Sequence, residues 1–241
     1  MHATPRIAII STGIERSVVS TAEAGWCVAV QQERLMVEPT EKDSVGQGTE
    51  LALSLSQLLP SASLIGIDIF NGQGKTTSTL LLKALEKAVD LKCDAILVCV
   101  HSLNAEKRSR FAKVCAYAHK HQIPIVASAV DGTVSYPSQI PTVFGALSNA
   151  DCRSRIYVYD HQFFDAHHPN RGLFVLNGWW QERYVGAEIA AVHLMATIIQ
   201  LIDNGTEYDS LFEAMSIRGF VPFTEFGFVN IIMHVICAIV F

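Results

Sequence analysis

Several groups of residues in this 241-residue sequence carry side chains that could do chemistry. Asn71-Gly72-Gln73-Gly74-Lys75-Thr76-Thr77 lies between an apolar run and a helix-period segment. That is the setting of a phosphate-binding loop, whose backbone amides cradle phosphate while the lysine and hydroxyl meet phosphate and Mg²⁺. The full loop pattern needs glycine at position 69, which is Ile69, and the apolar run 95–100 ends at His101 where an aspartate would be wanted. A Gly-rich turn is the first reading, and nucleotide binding through Gly72–Lys75 is an alternative. Asp160-His161 and Asp165-Ala166-His167-His168 offer metal-type ligands, but their spacing fits no fixed geometry, so a solvated loop and no metal are expected. Cys27, Cys93, Cys99, Cys115, Cys152 and Cys237 form no CxxC pair, which predicts buried free thiols in a reducing compartment. His119-Lys120-His121 places cations at a helix C-terminus, where they suit the helix dipole, and Trp179-Trp180 reads as core.

The elements that would position these residues follow from hydrophobic periodicity. Short Val/Ile/Leu runs at 7–10, 64–70, 95–100, 123–129 and 141–147 read as strands, with 156–159 and 173–176 as further candidates. Helix-period segments at 48–59, 77–91, 105–119 and 187–203 lie between them, and Pro60 stops the first. Gly205 is placed to end the helix at 187–203, and 206–216 reads as a short helix with Thr206 as its N-cap and Asp209 in the capping-box position. Continuous apolar strands alternating with helices predict an α/β fold. The expected architecture is a doubly wound, mostly parallel sheet flanked by helices in three αβα layers.

Four segments in this order resemble the subtilisin-like serine peptidase family (subtilases). Ile7-Ala8-Ile9-Ile10-Ser11-Thr12-Gly13-Ile14 is similar to V-A-I-I-D-T-G-I, with Ser11 where the family has the aspartate that orients the catalytic histidine. Gly46-Gln47-Gly48-Thr49-Glu50-Leu51-Ala52 resembles G-H-G-T-x-V-A, with Gln47 in the place of the histidine base. Asp94 to Val100 resembles the substrate-binding strand D-V-I-N-L-S-L, and 123–129 resembles the next strand. The family's Gly-Asn oxyanion pair reads Val130-Asp131 here, and Tyr136-Pro137 with Pro141-Thr142-Val143 matches Y-P-x-x-x-P-x-V. Gly186-Ala187-Glu188-Ile189-Ala190-Ala191-Val192-His193 resembles G-T-S-F-A-A-P-H, with Glu188 in the place of the nucleophile. The likeness spans about residues 6 to 216.

The resemblance implies a degenerate member, with Ser11, Gln47 and Glu188 at the triad positions and Asp131 at the oxyanion position. Gln47 has no titratable proton near neutral pH and cannot act as a base, and Asp131 would repel an oxyanion. Glu188 cannot follow the serine route, although a working divergent serine-type hydrolase is carried as the alternative. His101 or His193 standing in as the base is the weaker expectation. If the family cleft survives, Cys99, Val100, His101, Ala129 and Val130 line it, and a peptide or partner protein would add there as a strand. The bland expectation is a satisfied polar plug, with Glu188 favoured at a helix N-terminus by about 0.3–1 kcal/mol.

Composition limits the remaining classes. The chain is 50% hydrophobic with a net charge of -5 and no basic cluster, which argues against nucleic acid and calls for no cofactor. The apolar run after Arg6 is four residues, too short for an export signal, so a cytoplasmic location is expected. Residues 1–218 are expected to form the peptidase-fold domain. Residues 219–241 form an apolar tail that could be core, anchor or non-native end. Its run from Phe226 is shorter than the roughly 20 residues of a spanning helix, so a membrane is not expected.

Overall fold

The computed structural model describes residues 4–31, 34–43, 45–148, 157–159, 173–176, 179–180 and 184–219. The short Ile/Val/Leu runs become a parallel sheet: β1 (Arg6–Ser11), β4 (Ser63–Asp68), β5 (Ala95–Val98), β6 (Ile125–Ser128) and β7 (Val143–Ser148). Two strands the periodicity did not identify precede β4, namely β2 (Ala22–Gln31) and β3 (Arg34–Pro39). With β8 (Tyr157–Tyr159) and β9 (Leu173–Leu176), the order is β3-β2-β4-β1-β5-β6-β7-β9-β8. Seven strands are parallel, and β3 and β8 run antiparallel at the two edges. A separate pair, β10 (Trp179–Trp180) with β11 (Tyr184–Val185), stands apart from this sheet.

Helices cover both faces, because the central strands are apolar on both sides. On one face, α1 (Gln47–Leu58), α4 (Ala187–Asp203) and α5 (Leu211–Gly219) pack on Ile7, Ile9, Leu97, Cys99, Val126 and Phe144. On the other, α2 (Ser78–Asp90) and α3 (Arg108–Lys120) pack on Ala8, Ile10, Ile67, Ile96, Val98 and Ala127. This is the three-layer doubly wound arrangement expected from the sequence. Phe144, Phe174 and Phe212 meet with ring centroids 5.4–6.4 Å apart and tie α5 to β7 and β9.

The end of α4 differs in one detail from the sequence expectation. Gly205, at φ 86, donates its N–H to Ile202 O, and Thr206 donates to Leu201 O. That paired motif caps the C-terminus of α4. Thr206 is not the cap expected of it: the residue before the next turn is Glu207, and no side chain caps that turn. The chain makes a 3₁₀ turn at Tyr208–Ser210 and enters α5 at Leu211.

Among the described residues, no helix is long and apolar enough to cross a membrane. The Asp160–His168 cluster, Cys152, Cys237 and the tail from 220 lie outside the described residues.

Candidate functional site

The chain leaves β1 toward β2 and β4 on one side, and leaves β5 toward β6 on the other. The connections diverge between β1 and β5, the kind of switch point beside which doubly wound sheets bind ligands. Ser11 ends β1, and Cys99 follows β5 with its N–H on Ile10 O at 3.0 Å. Both face the α1/α4 layer, because they share the parity of Ile9 and Leu97 along their strands.

Gln47 is brought to this rim by a close backbone approach. Gly48 N–H donates to Thr12 Oγ1 at 2.9 Å, and Glu15 N–H donates to Thr49 Oγ1 at 2.9 Å. Gly13 turns at φ 97, and a Cβ on Gly48 would lie 1.9 Å from Gly13 O. Only glycine at 48 permits that contact. Gly46, the residue before α1, is left-handed at φ 93 and offers no side-chain cap. Asp43 does the capping instead: Oδ1 accepts the Val45 and Gly46 N–H groups, and Oδ2 accepts the Thr49 N–H and hydroxyl, at 2.7–3.1 Å.

Glu188 occupies the first turn of α4, half-buried, with its Oε2 2.7 Å from the point a Cβ on Gly186 would take. The carboxylate thus folds back over the start of α4, where the helix dipole favours it. Burial pushes the Cys99 thiol well above its ordinary range, and the nearby Glu188 charge adds to the push. The Thr12–Gly48 bond thus ties the start of α1 to the end of β1, and Glu188 lies within electrostatic reach of Cys99, whose N–H bonds Ile10 O. The Ser11 hydroxyl is wholly buried and has no hydrogen-bond partner among the described residues, and neither has that of Ser128 at the end of β6. His193 lies more than a turn further along α4, and His101 is exposed beyond β5.

A carboxylate that sequence reading missed stands beside this set. Asp68 ends β4 directly opposite Ser11 in the ladder and is 6% exposed. Burial raises its pKa, N–H groups of Phe70 and Asn71 at 2.7 and 3.0 Å on Oδ1 pull it back, and Asp43 raises it further. The folded protein then holds this proton more tightly than the unfolded chain does. Stability contributed at Asp68 falls as pH rises from the unfolded value through the folded one. Asp68→Asn keeps an acceptor at Oδ1 and removes the charge. Its melting temperature is expected to exceed wild type above that window and to converge with it below, as read by thermal unfolding across pH. No local sequence signal marks Asp68, because its role depends on the β4–β1 register.

The residues expected to line a cleft divide into two kinds. Cys99 and Ala129 have buried side chains, and Ala129 N–H is taken by Ala146 O at 2.8 Å. Val130 N–H meets Ser135 Oγ at 3.3 Å. Among the described residues, Val100 and His101 make no main-chain hydrogen bond, and the strip closes just beyond them where Ser102 and Tyr136 exchange two. Asp131 sits in an exposed turn after β6.

The Gly-rich turn is built against nucleotide. α2 begins only at Ser78, three residues past Lys75, and Thr77 caps it by accepting the Leu80 N–H. The Thr76 hydroxyl donates to Ile69 O at 2.6 Å, and Lys75 is exposed. The amides of 74–76 therefore do not form the first turn of a helix, which a phosphate cradle needs.

Cys93, Cys99 and Cys115 are buried and Cys27 half-buried, all four as free thiols. Burial pushes Cys27 and Cys93 up to about 11 and Cys115 to about 12, so thiolate chemistry at neutral pH is suppressed. Among the described residues, no three His, Cys, Asp or Glu side chains are grouped to hold a metal ion.

No protein-family profile and no curated protein matches the chain. Solved structures do. A lanthipeptide protease superposes with a TM-score of 0.66 at 15% identity, covering 87% of this chain and 78% of its own. A cold adapted subtilisin-like serine proteinase gives a TM-score of 0.60 at 14% identity, covering 86% and 79%. At these identities the likeness is one of fold.

Proposed function

We propose that this chain, a protein of subtilisin-like fold, is a pseudopeptidase that binds an extended peptide or partner segment at the remnant cleft without cutting it. One arrangement supports the reading: Ser11 ends β1, Gln47 opens α1 and Glu188 lies in the first turn of α4, with no histidine at any of the three places. Acyl transfer needs a nucleophile, a base that takes its proton and a group that holds the base. Here the nucleophile's place at the head of α4 holds a carboxylate, the base's place an amide and the orienting place a hydroxyl.

The binding half of the proposal is supported by Val100 and His101. Their main-chain groups follow the end of β5 at this switch point and are unspent among the described residues. A peptide strand gains affinity from such groups and specificity from alternate side-chain pockets. Only one wall of the cleft is open in this way, since Ala129 and Val130 already use their amides. Pairing along one wall predicts weak binding. Isothermal titration with a pool of extended peptides should give saturable heat, and mass spectrometry should recover every peptide intact. No heat from any peptide in the pool, with the fold intact by circular dichroism, would refute the binding claim.

A further inference from the structure

The open edge of β3 points to a second function, self-association, which is independent of the cleft. β3 ends the strand order, and among the described residues no strand pairs with its outer side. The direction of its main-chain groups follows from one bond: Thr40 N–H, just past β3, donates inward to Gly25 O at 3.0 Å. Inward and outward amides alternate along a strand. Glu38, Met36 and Arg34 therefore bond to β2, and Leu35, Val37 and Pro39 turn their main-chain groups outward. Proline at the last outward position has no N–H to waste there. The free edge thus presents the N–H and C=O of Leu35 and Val37.

We propose that this edge pairs antiparallel with β3 of a second copy of the chain, on a two-fold axis through Met36. In that register Leu35 lies opposite Val37 of the second copy, and the reverse, so two hydrogen-bonded pairs form with four main-chain bonds. Arg34 then lies across from Glu38 of the second copy at both ends, on the same face. Both are exposed, and neither is in an ion pair among the described residues. Between them Met36 meets its own symmetry mate. On the other face Leu35, 40% exposed, packs on Val37 of the second copy, with Val30 beside it at 57%. Shifting the axis to Leu35 or Val37 keeps outward groups facing each other but loses the Arg34–Glu38 match. Shifting by half that step sets outward groups against inward ones. Charge and hydrogen bonding thus select one register, and a long exposed edge otherwise invites indiscriminate pairing.

Sedimentation velocity on the full chain over a range of concentrations tests this. A contact confined to one edge is small, so a reversible monomer–dimer equilibrium is expected. Arg34→Glu should weaken the dimer about tenfold by setting like charges opposite, and Arg34→Glu with Glu38→Arg should restore it. Met36→Cys should give an intermolecular disulfide under mild oxidation, because a non-hydrogen-bonded pair brings Cα atoms to about 4.5 Å. Leu35→Cys and Val37→Cys should cross-link less. The proposal is overturned by a monomer at every concentration, by a dimer indifferent to the charge swap, or by cross-linking strongest at 35 or 37. It is equally overturned if deleting residues 220–241 abolishes the dimer while the charge swap does not affect it.

Discussion

Exposure to a fluorophosphonate serine probe is expected to leave this chain unlabelled, and peptide substrates are expected to remain uncut. In subtilisin, the reference case for triad loss, removing the serine or histidine alone costs about two million-fold in turnover, a figure belonging to that enzyme. In the proposed reading the base is missing together with the nucleophile. Gln47 can donate and accept hydrogen bonds but cannot take a proton. Ser11 is wholly buried, with the carboxylate of Asp68 and not a histidine opposite it in the ladder, so a probe has no access and no imidazole to activate the hydroxyl. The four cysteines among the described residues do not substitute, because burial holds three of them inert and raises the fourth to about 11. Glu188→Ser alone should not restore labelling, since it supplies a hydroxyl without a base. Labelling of the wild type at any serine, mapped by mass spectrometry, would overturn this.

Gly48→Ala is expected to produce the largest stability loss of any small substitution at the rim. The added methyl would lie 1.9 Å from Gly13 O and 3.0 Å from Gly13 C, both backbone atoms. Neither can rotate away. Relief requires β1 and α1 to separate, which stretches the Gly48 N–H bond to Thr12. Overpacking of this kind costs about 3 kcal/mol, a large share of a marginal folding free energy. Gly46→Ala is the informative control. Gly46 is left-handed at φ 93, but a Cβ there meets nothing within 4 Å. Its cost is the backbone penalty alone, about 1–2 kcal/mol. Denaturant unfolding should rank Gly48→Ala well below Gly46→Ala. Equal losses would mean that β1 and α1 are not locked at this point.

The site was legible in the sequence to the extent that it rests on local pattern. The apolar runs at 7–10 and 95–100 located β1 and β5, and Gly46-Gln47-Gly48 located the start of α1. The run from Gly186 located α4. Each of these signals lies within one turn or one strand, where periodicity and chain breakers act directly. From them the α/β class could be derived in advance, whereas the convergence of Ser11, Gln47 and Glu188 was implied only by the family resemblance.

Other features depended on partners far along the chain. β2 lacks clean alternation and Gln32-Glu33 is not a turn signature, so the hairpin and its open edge emerged only from pairing with β4. Asp68 became a neighbour of Ser11 through the β4–β1 register, and Asp43 became the cap of α1 because the chain returns there after β3. Thr206 read as a helix start by composition, yet the closure of α4 shifted the next turn to begin after Glu207. The amino-acid sequence by itself determined most of the strands and helices and, through the resemblance, which residue types stand at the expected triad positions. Only the tertiary structure decided what surrounds them, because register, burial and unspent hydrogen-bonding groups are properties of pairs of segments.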